Sequence, residues 1–200
     1  MDASPMPGSC ITVVSGIPRS GTSLMMQMLQ AGGMPVLSDG LRVADEANPR
    51  GYLEFDPVKR LRSDRAWLPR ASGCAVKIIH LLLRELPQDC SLRYRVIFMR
   101  RPLAEIIASQ RAMLLRQGKA PADSSILEKA FETQLAELEP WLATRPDVAL
   151  LRVDYHRVVR EPAAVIAELR AFLPDVSLDE EAMLRAVDPG LHRHRSCTYS

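Results

Sequence analysis

The stretch Ile11-Thr-Val-Val-Ser-Gly-Ile-Pro-Arg-Ser-Gly-Thr-Ser-Leu24 decides the fold. A short β-branched run meets a turn of Gly, Pro and Ser, and a strongly apolar helical pattern follows at once. Strand, tight loop and helix in that order point backbone N–H groups and a helix N-terminus at an anion. Gly16 and Gly21 have the spacing of the Walker A pattern G-x-x-x-x-G-K-[ST], but Thr22 stands at the lysine position and the cation has moved into the loop as Arg19. The loop is therefore expected to hold a phosphate-like group without Mg-ATP chemistry.

Outward from this loop, Ala75–Ile79, Arg95–Met99 and Val148–Val153 join Ile11–Ser15 as short runs rich in Val, Ile and Leu. Such runs fit parallel strands covered on both faces. Helical stripes lie between them. Leu24, Met25, Met28 and Leu29 share one face, and Gly32-Gly33 with Pro35 stops that helix. Leu103, Ile106, Ile107 and Leu114 form a second stripe after Pro102. Leu127, Ala130, Phe131, Leu135, Leu138 and Leu142 form a third; Val165, Leu169, Phe172 and Leu173 form a fourth, ended by Pro174. The alternation predicts an α/β fold: a three-layer sandwich with a mostly parallel central sheet, P-loop NTPase-like. Ligands in such folds sit beyond the carboxyl ends of the strands, where Gly16–Ser23, His80 and Arg100–Arg101 all fall. The region from Pro35 to Leu68 has little periodicity, and Asp45 to Asp56 within it is expected to form a loop over the site.

Two hundred residues with 47% hydrophobic content suit one domain with a real core. The expected division is a disordered lead-in over 1–9, a single α/β domain over 10–190 and a basic tail over 191–200, where Leu191-His-Arg-His-Arg195 offers further cations. A net charge of +2 argues against bulk nucleic-acid binding. Charge is uneven, however: Arg93, Arg95, Arg100, Arg101, Arg111, Arg116 and Lys119 face Glu105 alone, which suits a small anionic ligand. Cys10, Cys74, Cys90 and Cys197 form no C-x-x-C pair and have no histidine at zinc-ligand spacing, so no metal site is expected. Isolated thiols, no membrane-length apolar run and no leader pattern at the N-terminus lead to the expectation of a cytoplasmic protein with no integral membrane segment.

Arg19 among turn residues can grip a phosphate or sulfate oxygen bidentately, and Thr22 and Ser23 add hydroxyls at the first helical turn. Arg101 falls at a helix N-terminus, where the dipole favours an anion. Ser109 lies eight residues on, about 80° around the axis. A Walker B strand would end in Asp; this one ends in Arg100 and Arg101, which points to a second anion.

Strand, P-R-S-G-T-S loop and helix, followed by a strand with R-x7-S behind it, resemble the cytosolic and tyrosylprotein-type sulfotransferases. The likeness runs over most of residues 11 to 173. It implies 3′-phosphoadenosine 5′-phosphosulfate as cofactor, with 3′,5′-adenosine bisphosphate as product, and an acceptor drawn from small molecules, glycans or peptides. By that resemblance Pro18, Arg19, Ser20, Gly21, Thr22 and Ser23 hold the 5′-phosphosulfate, and Arg101 and Ser109 hold the 3′-phosphate. Lys77, in Val76-Lys-Ile-Ile-His80, sits where cytosolic members have K-T-H, and Arg152-Val-Asp-Tyr155 resembles their R-Y-E-D strand end. His80 falls three residues after Lys77 where the motif has two, so a continuous strand would put it on the opposite face.

Sulfuryl transfer is an in-line displacement governed by positioning and charge stabilisation. Arg19 would balance charge on the leaving phosphate without a metal. An acceptor hydroxyl or amine needs a general base. Glu54 on the covering loop and His80 are the candidates, with Asp45 and Glu46 behind them; His156 reads as structural. Two other functions stay open on sequence alone: a P-loop kinase or NTPase, against which the missing Walker lysine counts, and a nucleotide-binding module without turnover.

Overall fold

The computed structural model describes residues 10–42, 51–88 and 92–187. The expected lead-in over 1–9, the tail over 191–200, Asp45, Glu46, Cys90 and Cys197 lie outside the described residues. Four strands, β1 (Cys10–Gly16), β2 (Ala75–Lys77), β3 (Arg93–Arg100) and β4 (Val148–Asp154), pair in the order β2-β1-β3-β4. Every pairing is parallel, with Val13 opposite Val76 and Val96, and Ile97 opposite Leu151. Among the described residues six α-helices accompany them: α1 (Thr22–Ala31), α2 (Leu103–Arg116), α3 (Ser124–Ala143), α4 (Tyr155–Arg160), α5 (Pro162–Phe172) and α6 (Glu180–Ala186).

Successive side chains of a strand point to opposite faces, so each apolar run feeds two layers. Val14, Ile97, Met99 and Val153 turn to one face and pack with Met25, Met28 and Leu29 of α1, Val165 and Leu169 of α5 and Met183 of α6. Ile11, Val13, Val76, Val96 and Phe98 turn to the other and pack with Leu138 and Leu142 of α3, Trp67 and Leu83. The sandwich expected from sequence is therefore present, helix layers included. Met25, Met26, Met28 and Leu29 are all fully buried, and burial of each such side chain contributes roughly 1.5–3 kcal/mol.

The helix boundaries follow local chemistry. Asp123 Oδ1 caps α3, accepting from the N–H groups of Ser125 at 2.8 Å and Ile126 at 3.2 Å. Helix α1 ends at the glycine pair: Gly33 takes φ 91°, and Met34 N–H reaches back to Leu29 C=O at 3.0 Å. Gly32 also lets α6 approach, since a Cβ there would sit 2.7 Å from Met183 Cγ.

Several expectations need correction. The second strand stops at Lys77, two residues early, and the chain enters a 3-10 helix over His80–Glu85. The outer edge of β2 is paired too: Ala75 N–H donates to Pro35 C=O at 2.8 Å, and Leu37 N–H donates to Ala75 C=O at 2.9 Å. Helices α4 and α6, of 6 and 7 residues, are too short to show a helical period in sequence. The basic run from Arg93 to Lys119 is not one patch. Arg93 and Arg100 close opposite ends of β3, about 23 Å apart at strand rise. Arg95, near the Arg93 end, is paired with Asp175. No helix among the described residues is long and apolar enough to cross a membrane.

At the entrance to β4, Arg145 and Asp147 form a buried ion pair at 2.5 Å. Arg145 also donates to the carbonyls of Leu86 and Pro87, both at 3.1 Å. Its hydrogen bonds hold the Asp147 carboxyl below the usual carboxylate range. Removing one partner leaves the other charge uncompensated. Arg145→Met is therefore expected to cost about 3 kcal/mol in urea unfolding, and Arg145→Met with Asp147→Leu to recover most of that loss.

Candidate active site

The turn after β1 exists because two positions in it carry no Cβ. A Cβ at Gly16 would meet Ser20 Oγ at 2.4 Å and the Met99 carbonyl at 2.7 Å; one at Gly21 would meet the Tyr155 ring at 2.5 Å. Gly16 and Gly21 also take φ 149° and 104°, a left-handed region that β-carbons disfavour. Arg19 takes φ 81°, which is strained for a residue with a side chain. The turn is tied down from α2: Gln110 Nε2 donates to Pro18 C=O at 3.2 Å, and Arg19 Nε donates to Ser109 Oγ at 3.0 Å.

Helix α1 opens from Gly21 with no side-chain cap and no acidic residue in its first turn. Its first N–H groups and dipole thus face the mouth of the turn uncompensated by a carboxylate. Ser20 Oγ is fully buried inside the turn with no hydrogen-bond partner among the described residues. A buried hydroxyl and an uncapped helix end are both features that an anion satisfies. The donor set thus fits a phosphate or sulfate group.

Lys77 reaches this helix end from β2. Its Nζ donates to Ser23 Oγ at 2.9 Å and to the Tyr52 carbonyl, and lies 4.0 Å from Glu54 Oε1. Burial pushes the Lys77 ammonium down to about 8. Glu54 opposes that shift, whereas Arg42 and Arg19 add to it, so three cations share one neighbourhood. Glu54 is held by Arg42 Nη1 at 2.8 Å, and the Arg42 guanidinium lies 3.4 Å over the Tyr52 ring. The described part of the covering loop, Gly51 onward, does lie against the site through Tyr52 and Glu54.

Arg101 approaches from β3. Its Nη1 donates to the Arg19 carbonyl at 3.4 Å, its Nε donates to Glu105 Oε2 at 2.8 Å, and its guanidinium sits 4.4 Å over the Tyr155 ring. Glu105 Oε2 is also 3.0 Å from His156 Nε2. The structure therefore brings Arg19, Arg101 and Ser109 together as one connected group.

His80 is placed differently from the sequence reading. The strand ends at Lys77, so His80 does not share a strand with it and strand alternation does not set its direction. His80 begins the 3-10 helix and is buried, with Nε2 2.8 Å from Gln134 Oε1 and its ring edge-on to Phe131. Burial lowers its pKa, opposed by Gln134 and by the nearby Gly16 backbone. Nδ1 is buried without a partner in hydrogen-bond geometry among the described residues.

Sequence reasoning missed Glu105, Gln110, Gln134 and Arg42 as neighbours of the site. The i,i+4 spacing of Arg101 and Glu105 was the one signal available for them.

The parallel-sheet fold has solved counterparts. The sulfotransferase domain of the Synechococcus PCC 7002 olefin synthase superposes with a TM-score of 0.55 at 16% identity, covering 92% of this chain and 86% of that one. The fold is sulfotransferase-like. The sulfotransferase domain from the curacin biosynthetic pathway matches at TM-score 0.51 and 16% identity, over 92% of this chain and 79% of that one. A sugar kinase from Janibacter sp. HTCC2649 reaches a TM-score of 0.42 at 16% identity, over 94% of this chain and 100% of that one. No protein-family model matches the sequence, and no curated protein matches it.

Two measurements check this geometry. Gly21→Ala is expected to lower stability by about 2 kcal/mol or more, seen as a fall in Tm, because the new methyl meets Tyr155 at a positive φ. Lys77 is expected to titrate near pH 8 in pH-dependent amine labelling of the unliganded protein. Between about 8 and its ordinary 10.5 the unfolded chain holds the extra proton, so this group makes stability rise with pH over that window.

Proposed function

We propose that the chain is a sulfotransferase that moves a sulfuryl group from 3′-phosphoadenosine 5′-phosphosulfate to a hydroxyl or amine of an acceptor. The observation that carries this reading is the convergence of Arg19, Lys77 and Arg101, from three strand ends, on one uncapped helix N-terminus. The sulfotransferase-like fold supports it.

In this reading the N–H groups at the start of α1, with Ser20, Thr22 and Ser23, hold the 5′-phosphosulfate. Arg101 and Ser109 hold the 3′-phosphate. The donor itself supplies the sulfuryl group and a phosphate leaving group. Arg19 and Lys77 stabilise the negative charge that builds on the bridging oxygen as the leaving phosphate departs. Lys77 is fixed for that role by Ser23 Oγ and the Tyr52 carbonyl. Glu54 takes the acceptor proton. It is partly exposed and lies 4.0 Å from Lys77, whereas the His80 ring is enclosed and engaged with Gln134.

The test is a mass-shift screen with the donor and pooled phenols, sugars, amines and peptides, without added magnesium. The unmodified protein is expected to yield an acceptor carrying one added sulfuryl group. Arg19→Ala is expected to lower the rate at least about 100-fold, and Glu54→Gln by about 100-fold with donor affinity kept. Transfer from Mg-ATP but not from the phosphosulfate donor would replace this reading with a kinase.

A further inference from the structure

The candidate site leaves one buried carboxylate without a chemical role. Glu105 is only 3% exposed, sits one helical turn after Arg101 on α2, and touches both Arg101 and His156. A buried acid beside an anion-binding arginine is electrostatically unfavourable for the anion, since it cancels part of the attraction. Its presence calls for a compensating benefit, and the geometry supplies one.

We propose that Glu105 is a positioning residue that fixes the Arg101 guanidinium for recognition of the donor's 3′-phosphate; this rests on the sulfotransferase reading above. Contacts from three elements orient Arg101. The Glu105 carboxylate takes Nε at 2.8 Å, the Tyr155 ring supports the guanidinium plane at 4.4 Å, and the Arg19 carbonyl takes Nη1 at 3.4 Å. Of these hydrogen bonds the one to the carboxylate is the shorter, and it sets the side chain's rotation about its long axis. His156, at the start of α4, holds the same carboxylate oxygen at 3.0 Å. Glu105 is therefore itself held between two elements, and Arg101 inherits that rigidity. A freely rotating arginine would lose side-chain entropy on each binding event; one already clamped does not. The charge penalty of the acid is offset by this pre-organisation.

Reach and charge can be separated. Glu105→Asp keeps the charge and withdraws the carboxylate by one methylene. Glu105→Gln keeps the reach and an oxygen acceptor but removes the charge. The readout is the ratio of affinities for 3′,5′-adenosine bisphosphate and for adenosine 5′-monophosphate, measured by calorimetry. Glu105→Asp is expected to lower that ratio about tenfold with the monophosphate affinity unchanged, and Glu105→Gln to keep it within about threefold. In an Arg101→Ala background neither change is expected to move the ratio. A Glu105→Asp ratio equal to that of the unmodified protein overturns the proposal. So does the reverse pattern, in which Asp is tolerated and Gln is not, since that assigns Glu105 an electrostatic role. Failure of the underlying reading is distinguishable in advance: the unmodified protein would bind the two nucleotides equally.

Discussion

The turn between β1 and α1 can close only because the ends of β3 and β4 press into it at two points where no side chain stands. Met99 fills the space beside Gly16, and the Tyr155 ring fills the space beside Gly21. This contact fixes the direction in which α1 leaves the sheet, and with it the direction of the helix's exposed N–H groups. It also explains why the site is assembled from several strands. The turn is shaped by its neighbours, and those same neighbours carry Arg101 and lead into the helix that carries His156. Strain at Arg19 belongs to the same constraint. The backbone is bent into a costly conformation, and contacts from Ser109, Gln110 and Arg101 hold it there.

Charge at the site is balanced rather than simply positive. Arg101 is met by Glu105, Arg42 by Glu54, and Lys77 by Glu54 at longer range. Burial lowers the affinity of Lys77 for its proton, and an incoming anion acts in the opposite direction. The site thus avoids the self-repulsion that three unmatched cations would impose on the folded state, while keeping directed N–H groups available at the helix end.

Much of the architecture was legible because the strands are short and apolar on both faces, which makes each run visible without its partners. The three-layer sandwich, the loop after β1 and the delivery of that loop and Arg101 to one edge followed from that pattern and from the rule on strand ends; Lys77 was legible only through the K-T-H resemblance. Contacts across the chain were not legible. Ser109 meets Arg19, 90 residues away, and nothing in the spacing of either residue encodes that meeting. The end of β2 was misplaced because a run of apolar residues does not show where a strand stops; Ile78 still donates its N–H to Val14 C=O at 3.0 Å, but the register ends at Lys77 and a 3-10 helix begins at His80. The basic run misled for a related reason. Neighbours in sequence become distant when an extended segment separates them, so Arg93 and Arg100 ended at opposite edges of the sheet.

The two margins of the sheet differ. On the β2 side, the segment around Pro35 to Leu37 already occupies the backbone donors and acceptors of Ala75. On the β4 side, among the described residues, the ladder ends with β4 itself, and Arg152 and Glu139 form an ion pair at that margin. Among the described residues, the edge left for an added strand at this margin is the one along Val148 to Asp154. A charged pair is the kind of guard that discourages it there.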